Sequence, residues 1–172
     1  SKLLAYAKKV NPWLSFVHSD MNKYLASLGQ ESQDIILACA SFQHIPDETS
    51  RIKILKNIFR VLQYDWIIVF TNWACSEWFL KTHRKALIGW SLKSLISFWK
   101  KSWRDVLIPR NGEHWKQYRY YHLYSLEELR KLVELSWLKI IELHYLDKKW
   151  QITEDWKQAN NSFLVAKKTI FK

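Results

Sequence analysis

Hydrophobic positions along this chain follow two periods. Residues 34–40 read Asp-Ile-Ile-Leu-Ala-Cys-Ala, a near-continuous apolar run of the kind a central parallel strand shows when both its faces are covered. Residues 66–71 form a second such run, apolar and β-branched. Between them Pro46-Asp47 opens a segment in which Ile52, Leu55, Phe59 and Leu62 recur at three- and four-residue spacing, which predicts a helix with one buried stripe. Residues 1–9 read as the tail of a helix with Leu3, Leu4 and Ala7 on one face, and residues 14–18 as a short strand. A brief helical turn is expected around Tyr24, Leu25 and Leu28. Ser125-Leu126-Glu127-Glu128 is a capping box, opening a helix through Leu129, Leu132 and Val133. Residues 138–146 and 162–167 are two final strands with no helical pattern between them, which predicts an antiparallel edge. Strands alternating with helices through short connections argue a doubly wound α/β sheet.

Length allows one domain: 172 residues bury a real core but do not argue for two. The apolar and charged shares, 48% and 25%, are those of a globular chain. No run of about 18 apolar residues occurs, so no membrane-spanning helix is expected. Cys39 and Cys75 are too few for a disulfide framework and lack metal-ligand spacing; a reducing, cytoplasmic setting follows. His83, His114 and His144 have no ligand spacing either, and no metal site is expected.

Charge changes the picture locally. From 81 to 119 ten Lys and Arg face only Asp105 and Glu113, so this stretch holds +8 of the chain's +11. Such a local field favours a polyanionic partner; a solvated lysine-rich helix face is the plainer reading. The pattern of 77–103 is mostly helical, and the segment at about 77–118 reads as a basic helical insertion or lid.

Glycine and tryptophan are out of proportion. Three glycines stand against the roughly twelve that average usage of about 7% would give, while tryptophan numbers eleven. Several tryptophans occupy places where the backbone asks for glycine. Trp66 follows Tyr64-Asp65 at a helix-to-strand turn, Trp137 ends the helix opened by Ser125, and Trp13 follows Asn11-Pro12. A gene that uses UGA for glycine, translated under a code assigning UGA to tryptophan, produces this exchange. A chain that uses its indoles as core or stacking groups is the alternative, and Trp73, at a strand end, suits it.

The motifs in order resemble the C-terminal part of a class I S-adenosylmethionine-dependent methyltransferase of type 11. Ser15-Phe16-Val17-His18-Ser19-Asp20-Met21 is similar to that family's third strand and its acid. The run from Asp34 through Ser41-Phe42-Gln43-His44-Ile45-Pro46 resembles the fourth strand and its loop. Arg60-Val61-Leu62 followed by Ile67-Ile68-Val69-Phe70-Thr71-Asn72-Trp73 resembles the approach to the fifth, and Ser136-Trp137-Leu138-Lys139-Ile140-Ile141-Glu142 the sixth. The resemblance implies an incomplete Rossmann-like methyltransferase sheet whose first two strands, with their glycine-rich loop and ribose-binding acid, are absent, the whole chain being one partial domain over residues 1–172. It also implies S-adenosylmethionine as cofactor. Asp20 would then accept from the adenine amino group and Met21 pack on the ring. Ala38, Cys39 and Ser41 would lie at the strand's carboxyl end, where ligands of open sheets bind, with His44 beside them. From the residues alone, Asp20 is equally a helix cap, Phe42 a core residue, His44 a loop histidine bonded to backbone, and Cys39 an inert buried thiol.

Arg119-Tyr120-Tyr121-His122-Leu123-Tyr124 is similar to a segment of tRNA wobble-uridine methyltransferases that esterify a carboxymethyl group. That likeness implies tRNA as partner through residues 81–119, Arg119 orienting the acceptor carboxylate, and Tyr121 and His122 shaping its pocket. A carboxylate acceptor needs no general base. The competing functions are a small-molecule methyltransferase with a merely solvated lid, and a catalytically silent basic RNA-binding module.

The family's sheet order places the absent strands between residues 14–18 and 34–40. The strand at 34–40 would then have an open edge. Either 14–18 collapses onto it or a second copy of the chain fills it.

Overall fold

A computed structural model describes residues 2–84, 104–111 and 116–169. In chain order the elements are α1 (Lys2–Val10), α2 (Met21–Ser27), β1 (Gln33–Cys39), a 3-10 turn (Phe42–His44), α3 (Glu48–Val61), β2 (Leu62–Trp73), α4 (Glu77–Thr82), β3 (Asp105–Asn111), β4 (Lys116–His122), α5 (Leu126–Glu134), β5 (Leu138–Leu146), β6 (Ile152–Thr153) and β7 (Asn161–Lys168).

The helices start where side-chain oxygens can take up orphan N–H groups. Asp47 accepts from Ser50 N at 2.7 Å to open α3, and Ser125 accepts from Glu128 N at 3.2 Å to open α5. The buried stripe of α3 is Ile54, Leu55, Ile58 and Val61, and that of α5 is Leu129, Leu132 and Val133. Both pack with Leu25 of α2 on Ala38, Ile68, Phe70, Leu164 and Ala166 of the sheet, forming one core.

The main sheet runs β1-β2-β7-β5-β6. β1 and β2 are parallel, β7 is antiparallel to β2 and to β5, and β6 closes a hairpin with β5. This is a mixed α/β sheet with the expected antiparallel end. Cross-strand partners share a face, so Ala38, Phe70, Leu164 and Leu143 line up beneath the helices. The opposite face carries Leu37, Val69 and Val165 in one row and Cys39, Thr71 and Phe163 in another. Among the described residues the helices of the main core all lie on the first face.

Three expectations are corrected. Residues 14–18 form no strand, and Leu14 and Val17 are exposed; among the described residues no ladder joins them to β1. β1 is an edge strand with a mostly exposed burial pattern, not a buried central one; its composition fits a covered environment that the described residues do not provide. Cys39 is exposed rather than buried for the same reason. Finally, the basic stretch is not simply helical. Beyond the short α4, its described part is the hairpin β3–β4, a separate two-stranded sheet. Residues 85–103 and 112–115, which carry four of the ten Lys and Arg of 81–119, lie outside the described residues.

Two tryptophans adopt the left-handed backbone region, Trp137 at φ 66° and Trp150 at φ 63°, where a bulky residue is an outlier and glycine is the usual occupant. At the Tyr64-Asp65-Trp66 junction the left-handed residue is Asp65, φ 68°, so the steric argument does not apply to Trp66.

Candidate active site

The parallel pair β1–β2 ends on one side of the molecule, and the chain there is fixed residue by residue. Ala40, just past β1, turns the backbone at φ 47°. Its N–H is held by the Thr71 carbonyl at 2.7 Å and Thr71 Oγ1 at 3.3 Å. Ser41 caps the 3-10 turn, and His44 N donates back to Ser41 O at 3.2 Å. Gln43 is buried, and its Oε1 accepts from Trp73 N at 2.6 Å, tying the turn to the end of β2. Arg51 reaches back from α3, its Nε donating to Ile45 O at 3.0 Å. Phe42 is core, with its ring 5.2 Å from Phe70 and 5.8 Å from Tyr124. A left-handed alanine at a strand end, over-determined by this many bonds, is a preorganised loop of the type found at ligand sites.

An apolar cleft of 290 Å³ opens beside this loop, between α2 and the free side of β1. Met21, Tyr24, Leu37, Ala38 and Ser41 line it. Asp20 is the N-cap of α2, accepting from Lys23 N at 3.1 Å, and so fixes Met21 at the cleft. Asn22 Oδ1 is buried without a hydrogen-bond partner among the described residues. The loop thus brings Met21, Ala38 and Ser41 together, with Asp20 at the helix start and His44 one turn further on. Cys39 pairs with Thr71 and points to the uncovered sheet face.

The hairpin β3–β4 approaches the same loop from the other side. His44 Nδ1 lies 2.9 Å from the Tyr120 carbonyl, and the His44 ring 4.7 Å from that of Tyr121. Tyr121 in turn stacks flat on Trp73, 4.6 Å away at 3°. Strand alternation divides the Arg119-Tyr121-His122 group. Arg119 is exposed, Tyr121 joins the aromatic stack, and His122 turns inward at 2% exposure.

His122 is held by two carboxylates, its Nδ1 2.6 Å from Asp105 Oδ1 and its Nε2 2.7 Å from Glu128 Oε1. Carboxylates only accept, so both ring nitrogens carry protons and the ring is an imidazolium. Burial alone would lower its pKa; the bonds to Asp105 and Glu128 overcome that and raise it above the ordinary histidine value. Burial likewise pushes Asp105 and Glu128 upward, but hydrogen bonds from His122, joined by Tyr120 for Asp105 and Arg104 for Glu128, hold both below the usual carboxylate range. Tyr120 is raised, by burial first and then by Asp105. Arg104 donates to Glu128 Oε2 at 2.7 Å, and Arg51 Nη2 to Tyr120 Oη at 3.1 Å. This network pins the hairpin to α3 and α5. Reading the sequence missed it because Glu128 looks like the closing residue of a capping box, and the hairpin pattern was taken with the basic insertion. The alternation of Tyr120 and His122 was the available signal.

Among the described residues, no group of three or more His, Cys, Asp and Glu side chains is placed to hold a metal, and no helix is long and apolar enough to cross a membrane.

No protein-family model matches the sequence. No curated protein matches it either. Solved structures do. An S-adenosylmethionine-dependent methyltransferase from Methanosarcina mazei superposes with a TM-score of 0.69 at 19% identity, covering 91% of this chain and 68% of that one. The 1,6-didemethyltoxoflavin-N1-methyltransferase of Burkholderia thailandensis, solved with 1,6-didemethyltoxoflavin and S-adenosylhomocysteine, gives 0.57 at 12%, covering 96% and 56%. An S-adenosylmethionine-dependent methyltransferase from Clostridium acetobutylicum gives 0.60 at 14%, covering 96% and 70%. The chain therefore has the α/β fold of these methyltransferases and spans between about half and about two thirds of their length.

Proposed function

We propose that the chain is part of an S-adenosylmethionine-dependent methyltransferase and that the cleft beside β1 takes the adenine end of the cofactor. The observation carrying this reading is the cleft along the free side of β1, lined from Gln33 to Ser41 and so reaching the carboxyl end of the parallel pair, the position where open α/β sheets bind ligands. The residues present fit that group. Met21, Tyr24 and Ala38 offer apolar surface to a flat ring, and the Ser41 side chain at the cleft offers a hydrogen-bonding group. When bound, the cofactor supplies an electrophilic methyl group on a sulfonium.

The chain's own part is alignment and exclusion of water. Gln43, Arg51 and Ala40 fix the loop after β1, and the Trp73–Tyr121 stack makes an apolar wall beside it. His122 supports that wall from behind as a positioning residue. Isothermal titration with S-adenosylhomocysteine tests the reading. One site per chain is expected, with affinity falling at least tenfold in Met21→Asp. No heat at millimolar ligand would make the chain a catalytically silent module instead.

A second reading concerns the acceptor. The +8 charge of residues 81–119 favours a polyanion, and the Arg119–Tyr124 likeness suggests a carboxymethylated wobble uridine of tRNA, with exposed Arg119 free to meet it. Filter binding of tRNA at increasing salt tests this, because phosphate contacts release counterions and give a steep inverse dependence. Salt-independent or undetectable binding leaves a small-molecule acceptor. A cytoplasmic setting belongs to the same proposal.

A further inference from the structure

The geometry points to His44 as the proton acceptor of the transfer, and hence to a methyl acceptor that arrives carrying a proton: a hydroxyl, a phenol or a ring N–H. This rests on the methyltransferase reading above and names the acceptor chemistry for that site, in place of the carboxylate acceptor of the second reading.

A backbone carbonyl can only accept a hydrogen bond. His44 Nδ1 lies 2.9 Å from the carbonyl of Tyr120, so Nδ1 bears the hydrogen, and in the neutral ring Nε2 carries a lone pair. Tyr121, in tilted contact at 4.7 Å, sets the ring plane. His44 is exposed and has no hydrogen bond from Nε2 among the described residues. It stands one 3-10 turn beyond Ser41, which lines the cleft. An imidazole whose open nitrogen is oriented by a second element, one 3-10 turn beyond a residue that lines a ligand cleft, has the form of a general base. A buffer histidine on a loop would not need its tautomer fixed by a second element.

The lone pair also selects the acceptor. A carboxylate would set its own lone pairs against Nε2, acceptor against acceptor, and needs no proton removed. An O–H or N–H donates to Nε2 and is oriented by that bond. In the transfer, the S–CH3 bond of the sulfonium breaks as the acceptor O–CH3 or N–CH3 bond forms. Sulfur keeps the electron pair as a neutral thioether, and the acceptor's proton passes to His44 Nε2.

His44→Asn separates the two roles of the ring, because the shorter amide can still donate to the Tyr120 carbonyl but has no base at the Nε2 position. Three measurements are made on the full chain. Titration with S-adenosylhomocysteine should give the same affinity for both proteins. Long-range proton–nitrogen NMR should show His44 protonated at Nδ1 and bare at Nε2. Methyl transfer to tyramine, histamine and phenylacetate as probes should occur with the first two and not the third, and should fall roughly 100-fold to 10,000-fold in the variant. Transfer in His44→Asn within threefold of the parent, an Nε2-protonated tautomer, or methylation of phenylacetate alone or of no probe would each overturn the assignment while cofactor binding stands. A parent chain that binds no S-adenosylhomocysteine defeats the methyltransferase reading, and this inference with it.

Discussion

At the scale of single residues the tryptophans say most. Trp150 follows Asp147-Lys148-Lys149 in the loop joining β5 to β6. Asp147 N donates to Gln151 O at 2.9 Å, and Trp150 N to Asp147 O at 3.1 Å. Asp147 Oδ1 takes the N–H groups of Lys149 and Gln151 at 2.7 and 2.9 Å. That is a three-residue hairpin loop whose last position is left-handed, where glycine normally sits. An indole there, 62% exposed, carries a backbone cost of about 1–2 kcal/mol and gains little packing. Trp150→Gly should raise the thermal midpoint by about 2 °C once glycine's unfolded-state entropy is deducted, as read by circular dichroism. Trp137→Gly should change it less. Although its φ is equally strained, its ring meets Phe59 edge-on at 5.8 Å and Lys56 at 4.7 Å. A lowered midpoint in Trp150→Gly would remove the strain argument. UGG codons at 137 and 150 would remove the recoding idea. The sequence showed Trp137 directly, because it follows a capped helix at the place of a C-cap. Trp150 was invisible, since a left-handed loop position after Lys-Lys has no signature unless the loop length is known.

At the scale of elements, the hairpin β3–β4 and its anchor determine whether a site exists at all. Asp105 and His122 face each other across the hairpin, while Glu128 reaches in from α5 and Arg51 from α3, its Nη2 3.9 Å from Asp105 and its Nη1 3.7 Å from Glu128. The pH dependence follows from the directions of the shifts. Asp105 and Glu128 are lowered, so their contribution is present above about pH 4 and lost as pH falls through the depressed values. His122 is raised, so its contribution is complete below about pH 6.5 and lost as pH rises through the folded value. Stability should therefore be greatest in mildly acidic solution and decline on the alkaline side. His122→Gln bonds one carboxylate at most and removes the cation that both share, leaving Arg51 and Arg104 beside them. The expected loss is about 3 kcal/mol, the lower end for a broken buried pair because Glu128 is partly exposed. The alkaline decline should vanish with it. Thermal melts of both proteins from pH 5 to 9 measure this, and an unchanged alkaline slope in the variant would mean that His122 does not titrate as assigned. The capped helices were legible because caps are local. The hairpin was not, since its strands pair with each other and carry the basic residues of a stretch that otherwise looked helical.

At the scale of the whole molecule, the antiparallel end was legible from two final apolar runs with no helical pattern between them, whereas the strand order β1-β2-β7-β5-β6 and the cover on each face were not. An apolar run reports that a strand should be buried, and cannot report what buries it. Among the described residues β1 pairs with β2 alone, and the sheet's second face presents Ile35 and Leu37, the latter 68% exposed, beside half-buried Val69, Val165 and Phe163. An unpaired ladder flanked by an apolar face recruits another chain. Nothing along the run from Ile35 to Cys39 opposes this: no proline, lysine or inward charge interrupts it. A second copy is the occupant always present at the same concentration, and two β1 strands in antiparallel register would satisfy both edges while joining their apolar faces; because the free side of β1 also walls the proposed cofactor cleft, such pairing and cofactor binding would compete. The 172-residue chain should therefore elute as a dimer or larger at micromolar concentration, by size-exclusion chromatography with light scattering. Leu37→Lys places a charge at the centre of that contact without touching the core under the helices, since Leu37 points to the other face. It should shift the population towards monomer at the same concentration, with the melting profile of a folded chain retained. If the parent chain runs as a folded monomer throughout the micromolar range, the open edge does not pair in solution, and some other property of the chain protects it.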